Sequence, residues 1–355
     1  MMQAIKSRAE RYQRFYDSNK PGDLMIVVRQ DPYWVRKKNL FEYDFNNGGH
    51  LEMAEDMAIC AEGMLEWSEQ AGDDLIPWMT PDLGIAIHHT FIFDLLVEFS
   101  EWTSWAPHPL SGENGFDRLN EVVYNPENRW VKIMKEMVQY WGNRASQPYL
   151  FNGHNHYSPL DLANAIRGND IFIDFYDYPD EMTELMRRCT DTIIAFEKDL
   201  RTLIPADRPG MPFWGAMAPK NAIFMSEDTM DMCGPNVSAE WGQPWSKKIQ
   251  EEFGTVAIHH HMMGANLQGV IGSYVQNSMI QISNDPNCPP AIDRLKELYE
   301  ASGGNALMFD CSPSDLLQIK DQLKDIRAIV VTATGTDKQM AKDAVKFVRD
   351  ISNIG

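Results

Sequence analysis

The strongest limit on how this chain can fold is a set of eight short, unbroken apolar runs, each bounded by turn or polar residues. They occupy positions 24–28, 74–78, 149–152, 222–225, 255–259, 279–283, 306–309 and 328–332. A strand with one face in water alternates apolar and polar residues. Continuous apolarity fits a strand covered on both faces, as in parallel sheets wrapped by helices. Helical patterns lie between the runs. The clearest spans 181–203, where Met182, Leu185, Met186, Cys189, Ile193, Phe196, Leu200 and Leu203 recur at helical spacing, with Pro179 before and Pro205 after. The last spans 337–351, with Met340, Ala344, Val345 and Val348 on its apolar stripe.

Strand and helix alternating in this way predict an α/β fold, a single (β/α)8 TIM barrel covering residues 1–355. Division by a typical domain length would suggest two domains, but one barrel commonly uses this much chain. No internal repeat, low-complexity tract or linker divides it. Positions 80–132 are longer than one crossover needs. They are expected to form an insertion over the C-terminal face, given bulk by Trp102, Trp105, Pro107 and Pro109.

Charge narrows the partners. A formal net charge of −19 disfavours nucleic acid, whose phosphates need a basic face, and anionic membranes as well. No apolar run approaches the roughly 20 residues that span a bilayer, and positions 1–14 lack an apolar signal region. A cytoplasmic location is expected. Cys60, Cys189, Cys233, Cys288 and Cys311 are widely spaced without a CxxC pair, so neither a disulfide framework nor a thiolate zinc cage is written here.

Barrel enzymes place their chemistry at the C-terminal ends of the strands, which converts the strand positions into a shortlist. It contains Arg29, Gln30, Asp31, Tyr33 and Trp34 after the first run, and Trp78 and Asp82 after the second. His154, Asn155, His156 and Tyr157 follow the third, and Ser226, Glu227 and Asp228 the fourth. His259, His260 and His261 end the fifth, then Asn284 and Asp285, then Asp310 and Cys311. Imidazoles beside carboxylates suit zinc. Alternate residues at a strand end point the same way, which singles out His259 with His261. The bland reading is rim histidines that bond neighbouring loops. Tyr33, Trp34, Trp78, Trp102, Trp105 and Trp214 suit a planar or aromatic ligand, or else simply pack the insertion onto the barrel. Glycine-rich phosphate loops are absent, so a nucleotide cofactor is not expected.

Several phrases occur in an order and spacing that resemble the superfamily of uroporphyrinogen decarboxylase and the corrinoid-linked methyltransferases. They are Asp73-Asp74-Leu75-Ile76-Pro77 followed by Gly84, Ser158-Pro159-Leu160-Asp161-Leu162 with Arg167-Gly168, and Asp174-Phe175-Tyr176-Asp177-Tyr178-Pro179. Glu227-Asp228, Gly234-Pro235, Gln243-Pro244-Trp245, Ile258-His259 and Asp285-Pro286 continue the series. The decarboxylase branch carries a tyrosine where Ala165 stands and a late histidine that the final strand lacks, and Arg29 is a thin substitute for its arginine cluster. Thiol-acting methyltransferases use a His-x-Cys pair and a later cysteine; here those positions are His259-x-His261 and Thr334.

The pattern is most similar to the branch that cleaves methyl ethers. The resemblance implies O-demethylation of a methoxylated aromatic, with the methyl group passing to cobalt(I) of a separate corrinoid protein. It further implies zinc on His261 and Glu227 with His259 or Glu240, and Asp228, His154 or His156 as proton donor. Trp34, Trp78, Tyr33, Trp214 and Arg29 would hold the substrate. Relatives often form dimers, so a homodimer is compatible with the reading. The alternatives are a decarboxylase-like lyase on a tetrapyrrole or aromatic carboxylate, and a catalytically inactive ligand-binding barrel.

Overall fold

The computed structural model describes residues 3–30, 35–144 and 147–354. Its centre is a seven-stranded sheet in the order Leu24–Arg29, Ala328–Ala333, Ala306–Asp310, Met279–Ser283, Val256–His261, Ile223–Ser226 and His156–Tyr157. Every pairing within it is parallel. A second parallel ladder joins Trp78–Met79 to Leu150–Phe151. The result is a mixed α/β architecture with helices between the strands. No helix among the described residues is long and apolar enough to cross a membrane.

The strands are apolar on both faces because both faces are covered. Leu24, Ile26 and Val28 pack with the surrounding helices, whereas Met25 and Val27 belong to a separate cluster on the opposite face. Val256 and Ile258 divide from Ala257, and Ala328 and Val330 from Ile329 and Val331, in the same way. The second cluster also takes in Ile5, Tyr12 and Phe15 of the helix Gln3–Ser18, whose apolar face lies within the charged N-terminal segment. Burying one such side chain contributes about 1.5–3 kcal/mol, so two dry layers give the sheet its stability.

Four details go beyond the sequence pattern. The helix expected at 181–203 runs Pro179–Arg201. The final helix is Lys338–Ile351, and Met340 is exposed while Ala341, Ala344, Val345 and Val348 are buried. Those four follow the i, i+3, i+4, i+7 stripe, and Met340 lies a third of a turn off it. The second run forms a ladder only at Trp78–Met79, because side chains take over earlier. Val28 N donates to Asp73 Oδ2 (2.6 Å), Ile26 N to Asp74 Oδ2 (2.9 Å), and Asp74 N to the Ile26 carbonyl (2.8 Å). Finally, an unforeseen hairpin, Met211–Phe213 with Ala216–Ala218, joins the inner cluster.

Positions 80–132 carry a short helix, Ile87–Thr90, and a small hairpin, Glu98–Phe99 with Ser104–Trp105. Arg36 pins that hairpin, donating to Asp82 (2.8 Å) and to the carbonyls of Glu101 and Trp102 (3.3 Å each). Gly84 adopts φ +80, and a Cβ there would lie 2.3 Å from Ser104 N, so the close approach of the two loops requires glycine.

The last helix supplies a stability test. Asp337 caps it, accepting from Gln339 N (3.0 Å) and Met340 N (2.9 Å). Asp337→Ala is expected to cost about 1 kcal/mol, read as a lower midpoint in denaturant with an unchanged slope. No shift in the midpoint would mean that the cap contributes nothing.

Candidate metal centre and its aromatic cavity

Strand register builds the site. In Val256–His261, Ala257, His259 and His261 share one face and His260 takes the other. His260 is fully buried among the outer helices, its Nε2 2.7 Å from Gln268 Oε1 and its Nδ1 3.3 Å from Asp231 Oδ1. His259 lies beside Gln281 on the next strand and bonds its Oε1 through Nδ1. His261 Nδ1 bonds Asp285 Oδ1 (2.7 Å), and Asp285 Oδ2 accepts from Met263 N (2.7 Å). With each Nδ1 donating, each Nε2 carries a lone pair. Both Nε2 atoms lie 3.6 Å from Asp228 Oδ1.

One ligand atom from each of Asp228, His259 and His261 falls within 4.8 Å of the others. Asp228 Oδ1 is buried with no hydrogen-bond partner. A buried carboxylate oxygen without a donor is costly, and a cation satisfies it together with the two lone pairs. The Gln281 and Asp285 contacts are outer-shell partners of the kind that orient metal-binding histidines. The residues therefore fit a divalent ion such as zinc.

Asp161 seats the triad from behind. Its Oδ2 accepts from Ser226 Oγ (2.6 Å) and Asp228 N (3.0 Å), and its Oδ1 from Thr229 N (2.6 Å). Burial and the charge of Asp228 push Asp161 above the ordinary carboxylate range, and burial with the charges of Asp231, Glu227 and Asp285 does the same at Asp228. The Asp228 side chain is 46 % exposed, and it lines two neighbouring recesses. Burial also lowers His259 to about 4, so the ring is neutral at pH 7 and able to ligate.

The first recess is a cavity of about 280 Å³ lined by Trp78, Trp102, Tyr157, Trp214, Phe224, His88, Ser226, Asp228 and His259. Positions 80–85 with Trp102 and Thr103 form one wall of it, beside the strand-end residues Tyr157, Ser226 and His259. Trp214 comes from the tip of the inner hairpin. It and Gly215 adopt φ +44 and +87, the positive pair that a two-residue hairpin turn demands. A bulky residue held there costs on the order of 1–3 kcal/mol. The outcome is an indole wedged edge-on against His259, ring centres 4.9 Å apart.

Of the positions expected from sequence, Asp228, His259 and His261 converge, and Trp78 and Trp214 line the cavity. Glu227 does not join them. It is fully buried, its Oε1 accepts from Ser246 and Tyr274 (2.6 Å each), and burial raises it to about 8. Glu240 is exposed on the turn Ser238–Gly242. Arg29 forms an ion pair with Asp310 (3.1 Å) and is not among the lining residues. Tyr33 and Trp34 lie outside the described residues.

His154 and His156 are 2 % and 1 % exposed and sit behind His88, which does line the cavity. Sequence reasoning missed His88 because it belongs to no strand end; its neighbour His89 within a short helix is equally inconspicuous. Asp161 was visible only as part of a motif, without a role. Comparison with protein-family models and with curated proteins found no match for the chain.

Proposed function

We propose that this chain is a methyltransferase that cleaves the methyl ether of a methoxylated aromatic and passes the methyl group to a reduced corrinoid carried by a separate protein. The observation that carries the reading is the triad of Asp228, His259 and His261, of which Asp228 and His259 line an aromatic cavity. Resemblance of the sequence motifs to the ether-cleaving branch supplies the reaction class. The eight strand segments are taken as one (β/α)8 barrel, its first and second segments joined through the Asp73 and Asp74 carboxylates.

Asp228, His259 and His261 would hold zinc in place of the Glu227 and Glu240 set that the motif spacing suggested. Bound there, the ion supplies Lewis acidity to an ether oxygen, which makes phenolate a better leaving group. The protein does the rest. Trp78, Trp102 and Trp214 hold an aromatic ring by stacking and keep water from it. Gln281 and Asp285 fix the imidazole tautomers. His88 lines the cavity and would donate a proton as the oxygen departs. Arg29 is occupied by Asp310, which leaves the cavity poorly suited to a polycarboxylate such as uroporphyrinogen.

The test mixes zinc-loaded protein, guaiacol and reduced candidate corrinoid proteins, and follows the methylcobalt spectrum. Methylcobalt should form only with all components present. Release of carbon dioxide from uroporphyrinogen, with no methylcobalt from any methyl donor, would overturn the assignment in favour of the decarboxylase branch.

A further inference from the structure

A second recess of about 230 Å³ adjoins the aromatic cavity, and nothing in the chemistry of the triad uses it. Ile85, Tyr157 and Asp228 border both spaces. Tyr157 stands between them: its ring stacks on His88, centres 4.3 Å apart, and its Oη donates to the Ile85 carbonyl (3.4 Å). Beyond it the walls are largely apolar. Ala86, Ala106 and Ala165 leave room there beside the exposed Trp105 and Met232. An apolar cavity of about 150 Å³ is enough for benzene, so each recess has space for one ring.

The polar groups of the second recess offer acceptors. Ser104 Oγ directs its proton at the Leu83 carbonyl (2.7 Å), and His108 Nδ1 directs its own at the Ala165 carbonyl (2.8 Å). Asp161 also lines the space, with both carboxylate oxygens already accepting. His89 is 4 % exposed, and its Nε2 faces the Pro107 carbonyl (3.4 Å). A ring nitrogen facing a carbonyl carries the proton, so the lone pair of His89 lies on Nδ1. That Nδ1 is buried without a hydrogen-bond partner among the described residues. Asn164 Nδ2 donates to the Gly168 carbonyl (3.2 Å), which leaves its Oδ1 to accept. No lysine or arginine lines either recess. A buried acceptor without a donor is costly, and a ligand hydroxyl relieves that cost. A carboxylate would meet only acceptors and the side chains of Asp161 and Asp228.

We propose that the second recess is a subsite for the far end of the substrate, an uncharged second ring that carries a hydroxyl. This inference rests on the methyl-transfer reading and names its substrate class: a neutral two-ring methoxyarene rather than a methoxybenzoate. The methoxylated ring lies among Trp78, Trp102 and Trp214. The molecule crosses beside Asp228, which borders both spaces, and the far hydroxyl donates to His89 Nδ1. Ala165 sets the room for the second ring, and His89 selects the group that it carries.

The experiment titrates four ligands into the full zinc-loaded chain by calorimetry. They are anisole, a methoxybiphenyl, the same biphenyl with a hydroxyl on its far ring, and the same biphenyl with a carboxylate there. The hydroxylated biphenyl should bind at least about tenfold tighter than anisole and about fivefold tighter than the plain biphenyl. The carboxylate should bind more weakly than the plain biphenyl. Ala165→Leu should bring the biphenyls back to the affinity of anisole, and His89→Phe should erase the advantage of the hydroxyl. Zinc content should stay at the wild-type level in both. A hydroxylated biphenyl no tighter than anisole, a carboxylate preferred to the hydroxyl, or a ratio unmoved by Ala165→Leu would overturn the subsite. If Ala165→Leu fails to fold, Ala106→Leu fills the recess from the insertion side and is held to the same outcomes. Binding needs no turnover, so the two readings separate. Methyl transfer from guaiacol without any two-ring advantage keeps the reaction and discards the subsite. The expected binding pattern with no methylcobalt from any donor keeps the subsite and discards the reaction.

Discussion

Asp228→Ala is expected to weaken zinc binding more than about 100-fold, beyond what loss of an outer-shell partner costs. His261→Ala should match it. Both remove an atom that no neighbour can replace, since the Nε2 atoms of His259 and His261 converge on the single oxygen Asp228 Oδ1. Asp285→Asn should fall between, at roughly 10–100-fold, because it only loosens the His261 ring. Glu227→Gln and Glu240→Ala should leave affinity unchanged, as one carboxylate is bonded to Ser246 and Tyr274 and the other is exposed. Titration against a competing chelator, with circular dichroism to confirm folding, ranks the five variants. Zinc lost from Glu227→Gln and kept in Asp228→Ala would discard the triad.

Acid should unfold the protein unusually early. Burial, with the neighbouring imidazoles adding, lowers His88 to about 3 and His154 well below its ordinary value, and burial with the charge of His108, opposed by the Pro107 carbonyl, brings His89 to about 4. All three rings are therefore neutral in the folded chain but take up protons in the unfolded chain below about pH 6.5. The unfolded state then binds more protons, so stability falls as pH drops from about 6.5 towards the folded values, and is insensitive to these groups above that window. Between pH 6.5 and 5 the three together are expected to remove about 5 kcal/mol, comparable with the whole stability of many domains. Urea unfolding at pH 7 and pH 5 measures it. His89→Gln, which leaves the other two rings in place, should reduce the pH dependence by about a third. Equal stability at both pH values would show that these rings are hydrated in the folded state.

Much of the architecture was legible because buried parallel strands leave a plain record. The runs at 279–283 and 328–332 became Met279–Ser283 and Ala328–Ala333, since nothing but continuous apolarity survives between two dry layers. His259 with His261 was legible for a related reason: a period of two places them on one face wherever the strand lies. Aromatic residues converging on the strand ends followed from the same topology, and Trp78 and Trp214 do line the cavity.

What only the tertiary structure decided is which groups meet across segments. Adjacent carboxylates at Glu227 and Asp228 read alike in one dimension, but the turn into the helix Asp228–Asp231, held by Asp161 from a distant helix, sends one into the core and the other to the histidines. His88 reached the site through an insertion with no strand periodicity, and Trp214 through a hairpin turn whose positive φ no propensity would assign to tryptophan. Apolar periodicity is a local property, imposed on each segment by the water it must avoid. Ligand geometry and proton contacts depend on sub-ångström distances between segments far apart in the chain, and those are set only when the whole core packs.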